Sequence, residues 1–568
     1  MNSIERPEER GKEIRRFALW TVLAVSVCVC IEFSGAHVGA LFDRAGMKNA
    51  GDMLGGLLHP NVSAEFLQRI AWLSAESLLI GILGTFFAVF IGVALASVAM
   101  RVPDLPDPPV RQRLLYRILG NGARWFARFI LGIFRAVPEI VWAYFFVRLL
   151  GLGPGAAVMA IALTVGGSIG KLYAELGESV DQKTIHALRA TGAGRWSIYI
   201  HGILPQVQRQ WIAYALFRLE CNIRSGTILG VVGAGGLGSE IALSIRYFEF
   251  DKLATALLAI VALVVALEAV GAWLRKKPWT WTFTGAAVGG GMALWLLDIP
   301  WGDLLRGNMH MMGDLASVHW DGEAISGIFK TAFPLVTQTI AMAWVATLSS
   351  AVIAFWLAPL ATSTLITGSY LTNSYARRGG GFVAAHALLH TTRAILQVTR
   401  AIPEIMLALL FVMWVGPGPL AGILAIAVHN IGVMGRLYTD VYEEIETGPP
   451  RALQSAGTSS LGVWLFGVLP QAYPRMAAFT LYRFEVNVRT TVMVGFVGAG
   501  GIGDALNTAI SLFHMTDLLV LLLIMIAMVT VIDVFGDHVR KRILSGSPTS
   551  RRWTAVFKRF RRSTTAPN

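Results

Sequence analysis

Two apolar stretches each carry four groups that hydrocarbon does not tolerate without a purpose. Arg218, Glu220, Asn222 and Arg224 lie in one, and Arg483, Glu485, Asn487 and Arg489 lie in the other. Ionisable groups inside a membrane span are costly and default to a functional reading. On a helix Glu220 and Arg224 are four residues apart and can pair, as can Glu485 and Arg489, whereas Arg218 and Arg483 sit two residues from the carboxylate and face elsewhere. That leaves one arginine per stretch for an anion. A guanidinium is planar and permanently charged, and its fork matches two oxygens of an oxyanion. Arg135 with Glu139, and Arg400 with Glu404, repeat the four-residue spacing, and Pro138 and Pro403 inside them should bend their helices. The competing reading for both sets is a self-neutralising structural pair, and the spacing leaves both readings open.

Other motifs exclude more than they assign. Gly233, Gly235 and Gly238, like Gly498, Gly500 and Gly503, satisfy the dinucleotide fingerprint literally. That fingerprint needs a strand, a helix and a soluble β-α-β unit, and here the glycines follow apolar runs. Close backbone packing or a flexible outer gate is the better expectation. No phosphate-binding loop accompanies Gly170-Lys171, because Val165 and Leu172 occupy the positions of its first glycine and its hydroxyl residue. ATP and its magnesium therefore belong to another subunit. Cys28, Cys30 and Cys221 lie inside apolar runs, which excludes a structural disulfide and makes a metal site of these three improbable. No His/Asp/Glu cluster or Ser/His arrangement points to an enzyme, so neither a metal nor a cofactor is expected in this chain.

The elements that position these residues are membrane spans. The 568 residues are 55% hydrophobic and 15% charged, too apolar for a soluble chain of this size. The net charge of +13 gathers at the ends of apolar runs, with no DNA-binding motif, so nucleic acid is not an expected partner. A span needs about 20 apolar residues, and short loops rich in Lys and Arg stay in the cytoplasm. Twelve spans follow, at about 17–39, 72–100, 126–150, 155–173, 208–232, 252–274, 281–298, 331–358, 391–415, 419–438, 474–497 and 517–537. Arg6, Arg10, Lys12, Arg15 and Arg16 hold the N-terminus inside, the proline-rich loop near 103–117 is also inside, and Asp303, Asp314, Asp321 and Glu323 mark an external loop. Both termini are then cytoplasmic.

The chain is also a duplication. Arg135–Glu139 recurs as Arg400–Glu404, Gly170–Tyr173 as Gly435–Tyr438, and Gly233–Gly238 as Gly498–Gly503, always 265 residues on. Six spans per copy make the two halves parallel, with a pathway expected at their interface. The partition is a cytoplasmic N-terminus 1–16, a first repeat 17–278 with core 125–275, a second repeat 279–542 with core 390–540, and a basic tail 543–568.

At the same offset, 187–205 and 452–470 are too polar to span and too patterned for linkers. Each reads as a short helix, a turn at Gly192 or Gly457, an amphipathic helix and a stop at Leu204-Pro205 or Leu469-Pro470. Two such hairpins on one membrane face are shaped to enter a groove on a partner. The Ala187…Gly192…Leu204-Pro205 spacing, repeated as Ala452…Gly457…Leu469-Pro470, is similar to the EAA loop of ABC importer permeases. Together with Leu-Pro-Gln, Arg-x-Glu-x-Asn-x-Arg and Val-Gly-Ala-Gly-Gly-Ile/Leu-Gly, it resembles the phosphonate permeases. The acidic residue that usually opens the loop is His186 here and Arg451 in the second copy, and the family more often supplies two separate permease chains.

That resemblance implies an all-α, type I importer fold and uptake of phosphonates or related phosphorus oxyanions such as phosphate or phosphite. It also implies two ATPase subunits on the hairpins, a phosphonate- or phosphate-binding protein outside, and a bacterial inner-membrane location. A secondary anion transporter with parallel repeats is the alternative. It would need no paired docking hairpins and no ATP.

Overall fold

The structure, a computed structural model, describes residues 25–100, 110–277, 279–297, 299, 302, 322–366, 380–512 and 514–545. The expected N-terminus 1–16, the start of the first span, the prolines at 103–109, the aspartates of the loop 299–330 and the tail from 546 lie outside these residues.

Every regular element among the described residues is helical. Hydrocarbon offers no water to an unpaired N–H or C=O, so each span must bond within itself. Six described helices are long and apolar enough to cross: Ala64–Ala99, Pro154–Glu178, Phe250–Leu274, Ile325–Ala361, Pro419–Glu443 and Met515–Ile543. Three bent pairs bring the number to as many as nine. Of the other expected spans, Val25–Ser34 and Thr284–Leu296 are shorter apolar helices. Leu204–Gly230 is long but carries Arg209, Arg218, Glu220 and Arg224.

Proline does more than bend. Gly120–Ala136 meets Glu139–Leu150 at 93°, and Val383–Ala401 meets Glu404–Val415 at 88°. Pro138 and Pro403 stand immediately before the second helix of each pair. A proline has no N–H to continue the ladder and drives its predecessor out of the α region, so the helix stops and restarts in a new direction. The runs 126–150 and 391–415, expected as single spans, are each two helices nearly at right angles.

The chain forms two compact units, one of 48–321 with 510–526, the other of 1–47, 322–509 and 527–568. The units do not follow the sequence repeat at their first helices. Val25–Ser34 lies in the second repeat's unit, where Trp344 Nε1 donates to Ser26 Oγ at 3.1 Å and Gln338 Nε2 donates to the Ser34 carbonyl at 3.0 Å. Trp279–Leu296 lies in the first repeat's unit, with Gly289 and Gly290 against Ile82 and Phe86.

Within each unit the second span packs on the fourth. In one, Gly92 of Ala64–Ala99 lies against Ile169 and Gly170. Lipid is as apolar as leucine, so such close approach and its dispersion energy drive packing in place of water expulsion. Tyr173 stacks on Trp211 with ring centroids 4.4 Å apart and donates its hydroxyl to the Trp211 carbonyl at 2.7 Å. In the other unit Ala354, Met434, Tyr438 and Tyr442 close over Trp464 and Val468, which roots the hairpin at 463–468 in the bundle.

Candidate functional site

Both hairpins are built by one local mechanism. Helix Gln182–Ala190 ends where Gly192 takes φ +79°, and helix Gly448–Ser455 ends where Gly457 takes φ +78°. The Gly192 N–H donates to the Arg189 carbonyl at 2.8 Å and the Ala193 N–H to the Leu188 carbonyl at 3.3 Å. In the second copy Gly457 donates to Gln454 at 3.0 Å and Thr458 to Leu453 at 3.1 Å. This is a Schellman cap, which satisfies the last carbonyls and needs a residue at home with positive φ. A Cβ at Gly202 would stand 2.8 Å from Leu188 Cδ1, and one at Gly467 3.1 Å from Leu453 Cδ1, so the first helix folds down tightly onto the return segment.

The expected stop at Leu204-Pro205 and Leu469-Pro470 is instead a junction. Wider helical turns over Ile198–Ile203 and Val463–Val468 run directly into the long helices Leu204–Gly230 and Leu469–Val494. The prolines occupy the first turn, where a missing N–H costs no hydrogen bond. Gln206 and Gln471 secure the junction, their Nε2 donating to the carbonyls of Gly202 at 2.7 Å and Gly467 at 2.6 Å. Ala187, Gly192, Pro205, Ala452, Gly457 and Pro470 are exposed, and Leu204 and Leu469 are half-buried. The side chains that make the outer surface are others. Trp196 is 67% exposed, Leu461 64% and Phe466 73%, with Ile200 and Leu465 exposed beside them. Trp196 corresponds to Leu461 and Ile200 to Leu465 at the offset of 265, a signal in the sequence that attention to the Gly and Leu-Pro frame passes over.

The charged quartets are paired across helices. Glu220 takes the Arg275 guanidinium at 2.8 Å from the last helix of its repeat, and Glu485 takes Arg540 at 3.6 Å. Arg489 pairs with Asp533 at 2.6 Å. The expected partner four residues along the same helix is therefore not the closest contact of either carboxylate. A glycine makes room for each: a Cβ at Gly271 would stand 1.9 Å from Glu220 Oε1, and one at Gly536 2.0 Å from Glu485 Oε1. Gly271 precedes Arg275 by four residues and Gly536 precedes Arg540 by four, so glycine and arginine share a helix face and the carboxylate lies in the notch between them.

The two repeats differ beside this notch. Arg483 Nε donates to Asn430 Oδ1 at 3.0 Å, Asn430 Nδ2 donates to Asn487 Oδ1 at 2.8 Å, and Asn487 Nδ2 donates to Thr347 Oγ1 at 2.7 Å. In the first repeat Asn222 Nδ2 donates to Thr85 Oγ1 at 2.8 Å, but the position of Asn430 is Val165. Arg400 Nε donates to Gln397 Oε1 at 3.0 Å. Glu404 accepts from Thr490 Oγ1 at 3.4 Å and lies 3.6 Å from His429 Nε2. The sharp break at the prolines means that Arg135 and Glu139, like Arg400 and Glu404, do not share one helix. His429 and Asn430 were not legible as site residues, because neither has a polar counterpart of its own kind in the first repeat.

The glycine-rich segments are close-packed junctions. Gly153 N–H donates to the Gly233 carbonyl at 3.1 Å and Gly418 N–H to the Gly498 carbonyl at 2.8 Å. Gly236 N–H donates to Glu76 at 3.1 Å and Leu237 N–H to Ser77 at 2.9 Å. Their equivalents Gly501 and Ile502 donate to Gln338 and Thr339, both at 3.0 Å. A Cβ at Gly238 would stand 1.8 Å from the Thr227 carbonyl oxygen and one at Gly503 2.0 Å from that of Val492. Backbone cannot yield as a flexible side chain does. Gly503→Ala is therefore expected to destabilise the protein by about 1–3 kcal/mol. Fluorescence-detected size exclusion after solubilisation and heating should show the loss; an unchanged melting profile would contradict the close packing.

Residues 117–278 and 380–545, more than half of the chain, match the family of binding-protein-dependent transport system inner membrane components. The chain belongs to that family. One matched segment contains the core 125–275 and the other the core 390–540, so one chain holds two copies of a permease domain. The phosphate-import permease protein PhnE of Mycolicibacterium smegmatis is 30% identical over 490 residues, 84% of this chain and 86% of the relative. The phosphite transport system permease protein PtxC of Stutzerimonas stutzeri is 31% identical over 274 residues, 47% of this permease and 94% of the relative. An inward-facing structure of the MetNI methionine ABC transporter matches 39% of the permease and 99% of its own chain, at 23% identity and a TM-score of 0.32.

Proposed function

We propose that this permease is the translocation subunit of an ATP-driven importer for phosphorus oxyanions, namely phosphonate, phosphite or phosphate, with access alternating between its two halves. It binds no nucleotide. Two copies of a separate ATPase bind ATP and magnesium and engage the hairpins in the cytoplasm, and a binding protein delivers the anion to the outer face. The membrane is a bacterial inner membrane, with both termini cytoplasmic. The observation that carries the reading is the pair of hairpins: capped alike at Gly192 and Gly457, and each presenting an exposed apolar surface through Trp196 and Ile200 or Leu461, Leu465 and Phe466. An isolated exposed apolar residue is ordinary, but a repeated cluster of them marks an interaction surface. The substrate class rests on the phosphate permease that the chain resembles over 84% of its length and on the phosphite permease that it resembles over 47%.

Tagged protein drawn from native membranes should bring down an ATPase carrying a phosphate-binding loop. Proteoliposomes of that complex with its binding protein should accumulate phosphate or phosphite only with ATP. Accumulation driven by an ion gradient without ATP would replace the proposal with a secondary anion transporter.

A further inference from the structure

We propose that an arginine clasp at the entry to each hairpin transmits movement of the hairpin to the helices of its unit. In one unit Arg128 Nη2 donates to Glu178 Oε1 at 2.6 Å and Arg128 Nε donates to the Ala99 carbonyl at 3.1 Å. In the other Arg393 Nη2 donates to Glu443 Oε1 at 2.7 Å and Arg393 Nε to the Ala361 carbonyl at 2.8 Å. Arg393 and Glu443 follow Arg128 and Glu178 by the repeat offset of 265. Each guanidinium joins three helices of its own unit. Ala99 and Ala361 end Ala64–Ala99 and Gly322–Ala361, the arginines lie in Val110–Ala136 and Gly380–Ala401, and the glutamates lie at the ends of Pro154–Glu178 and Pro419–Glu443. A cation at the last carbonyl of a helix also meets the negative end of its dipole.

Placement, more than strength, gives the clasp its role. The four side chains are 30–39% exposed, and water screens such pairs so that they add little to stability. Both repeats nevertheless keep the same three contacts, whereas His429 and Asn430 are replaced by Thr164 and Val165 in the first repeat. Glu178 precedes helix Gln182–Ala190 by four residues and Glu443 precedes Gly448–Ser455 by five. Little slack remains in between, because Ser179 N–H still donates to the Glu175 carbonyl at 3.2 Å and Glu444 N–H to the Asp440 carbonyl at 3.0 Å. The far end of each hairpin is tied to the same short connection: Asp181 N–H donates to Gln206 Oε1 at 3.2 Å, and Gln471 Nε2 donates to the Glu446 carbonyl at 3.3 Å. A tilt of either hairpin therefore loads its clasp. Arg135 and Arg400 stand seven residues, about two turns, beyond Arg128 and Arg393 on the same helices, just before the breaks at Pro138 and Pro403. The displacement thus reaches the sharp bend through a rigid helix. This inference rests on the reading of the hairpins as the ATPase contact.

The permease with its copurified ATPase and binding protein, in proteoliposomes, gives the test through phosphate accumulated per ATP hydrolysed, read beside co-elution of the ATPase and the melting temperature. Arg128→Met/Arg393→Met keeps most of each apolar stem and deletes every donor. It is expected to assemble with the ATPase and melt close to wild type, while phosphate accumulated per ATP falls by about fivefold or more. The single variants Arg128→Met and Arg393→Met, each leaving one clasp whole, should lower that ratio by at least about twofold. Arg128→Lys/Arg393→Lys keeps the charge and has donors for both the carboxylate and the carbonyl, so it should recover at least about half of the loss. A merely structural pair would lower assembly or melting and leave the ratio of the surviving complex unchanged. That result overturns the clasp, as does a wild-type ratio in the methionine variants or a lysine variant no better than methionine. The importer reading fails separately, and takes the clasp with it, if the wild-type permease elutes without an ATPase or accumulates no phosphate with ATP. Normal wild-type transport beside an unaffected methionine variant removes the clasp alone.

Discussion

Gly457→Pro combined with Gly192→Pro is expected to leave the chain in the membrane at near wild-type amounts while cutting phosphate or phosphite uptake more than about tenfold. Gly192 and Gly457 hold φ at +79° and +78°, and proline is fixed near −65°. The substitution also deletes the N–H that Gly457 gives to the Gln454 carbonyl and pushes Ala456 out of its near-helical conformation. Strain of this kind costs about 1–3 kcal/mol per residue, and 1.4 kcal/mol is a tenfold change in an equilibrium. The hairpins lie outside the spans, so insertion, which rests on the long apolar helices, is spared. What changes is the placement of Leu461, Leu465 and Phe466 relative to the bundle, and with it the surface proposed to meet the ATPase. Asparagine tolerates the left-handed conformation, so Gly457→Asn should retain most uptake. Uptake and ATPase co-elution at wild-type levels in the double proline variant would remove the hairpins from the coupling role.

The repeat, the helical class and the hairpin turns were legible because each is written in short-range sequence. Positive-φ glycines, prolines and apolar run lengths act on the backbone within a few residues, and a spacing of 265 reports a second copy directly. Three features were not legible, for one shared reason. The partner of Glu220 is Arg275, 55 residues away, and no helical spacing names a partner on another helix. Thr347 and Asn487 are 140 residues apart, and the exchange of Val25–Ser34 and Trp279–Leu296 between units is a choice of packing partner. A clue did exist for the ion pairs. Gly271 with Arg275 and Gly536 with Arg540 recur at the repeat offset and at four-residue spacing, which marks one helix face in both copies. At Pro138 and Pro403 the residue type announced a bend, but a near right angle depends on where Glu139–Leu150 and Glu404–Val415 find their packing, which is tertiary information.

The arginines that reach Glu220 and Glu485 from other helices and the arginines that precede those carboxylates by two residues are expected to give different mutant phenotypes. Arg275→Gln and Arg540→Gln leave Glu220 and Glu485 facing Gly271 and Gly536 without their nearest cation, and Glu485 is 7% exposed. Breaking a buried pair by removing one partner costs about 3–5 kcal/mol, a large part of the stability of most proteins. The amount of assembled protein should therefore fall severely in Arg540→Gln and less in Arg275→Gln, because Arg275 is 39% exposed and water can compensate Glu220 there. Arg218 and Arg483 stand near the middle of helices Leu204–Gly230 and Leu469–Val494, which at about 1.5 Å per residue cross most of a bilayer. Arg483 holds Asn430, and glutamine keeps an N–H that can do the same, so the network through Asn487 to Thr347 survives Arg483→Gln. What glutamine lacks is the charge and the fork. Arg218→Gln and Arg483→Gln are accordingly expected to yield normal amounts of complex with uptake reduced by about two orders of magnitude, the size of a lost charged hydrogen bond. Quantitative immunoblotting of membranes beside ³²P uptake in the same cells reads both quantities at once. Wild-type uptake in a well-expressed Arg218→Gln/Arg483→Gln double variant would take these arginines off the substrate path, and normal assembly of Arg540→Gln would show that Glu485 finds its compensation elsewhere.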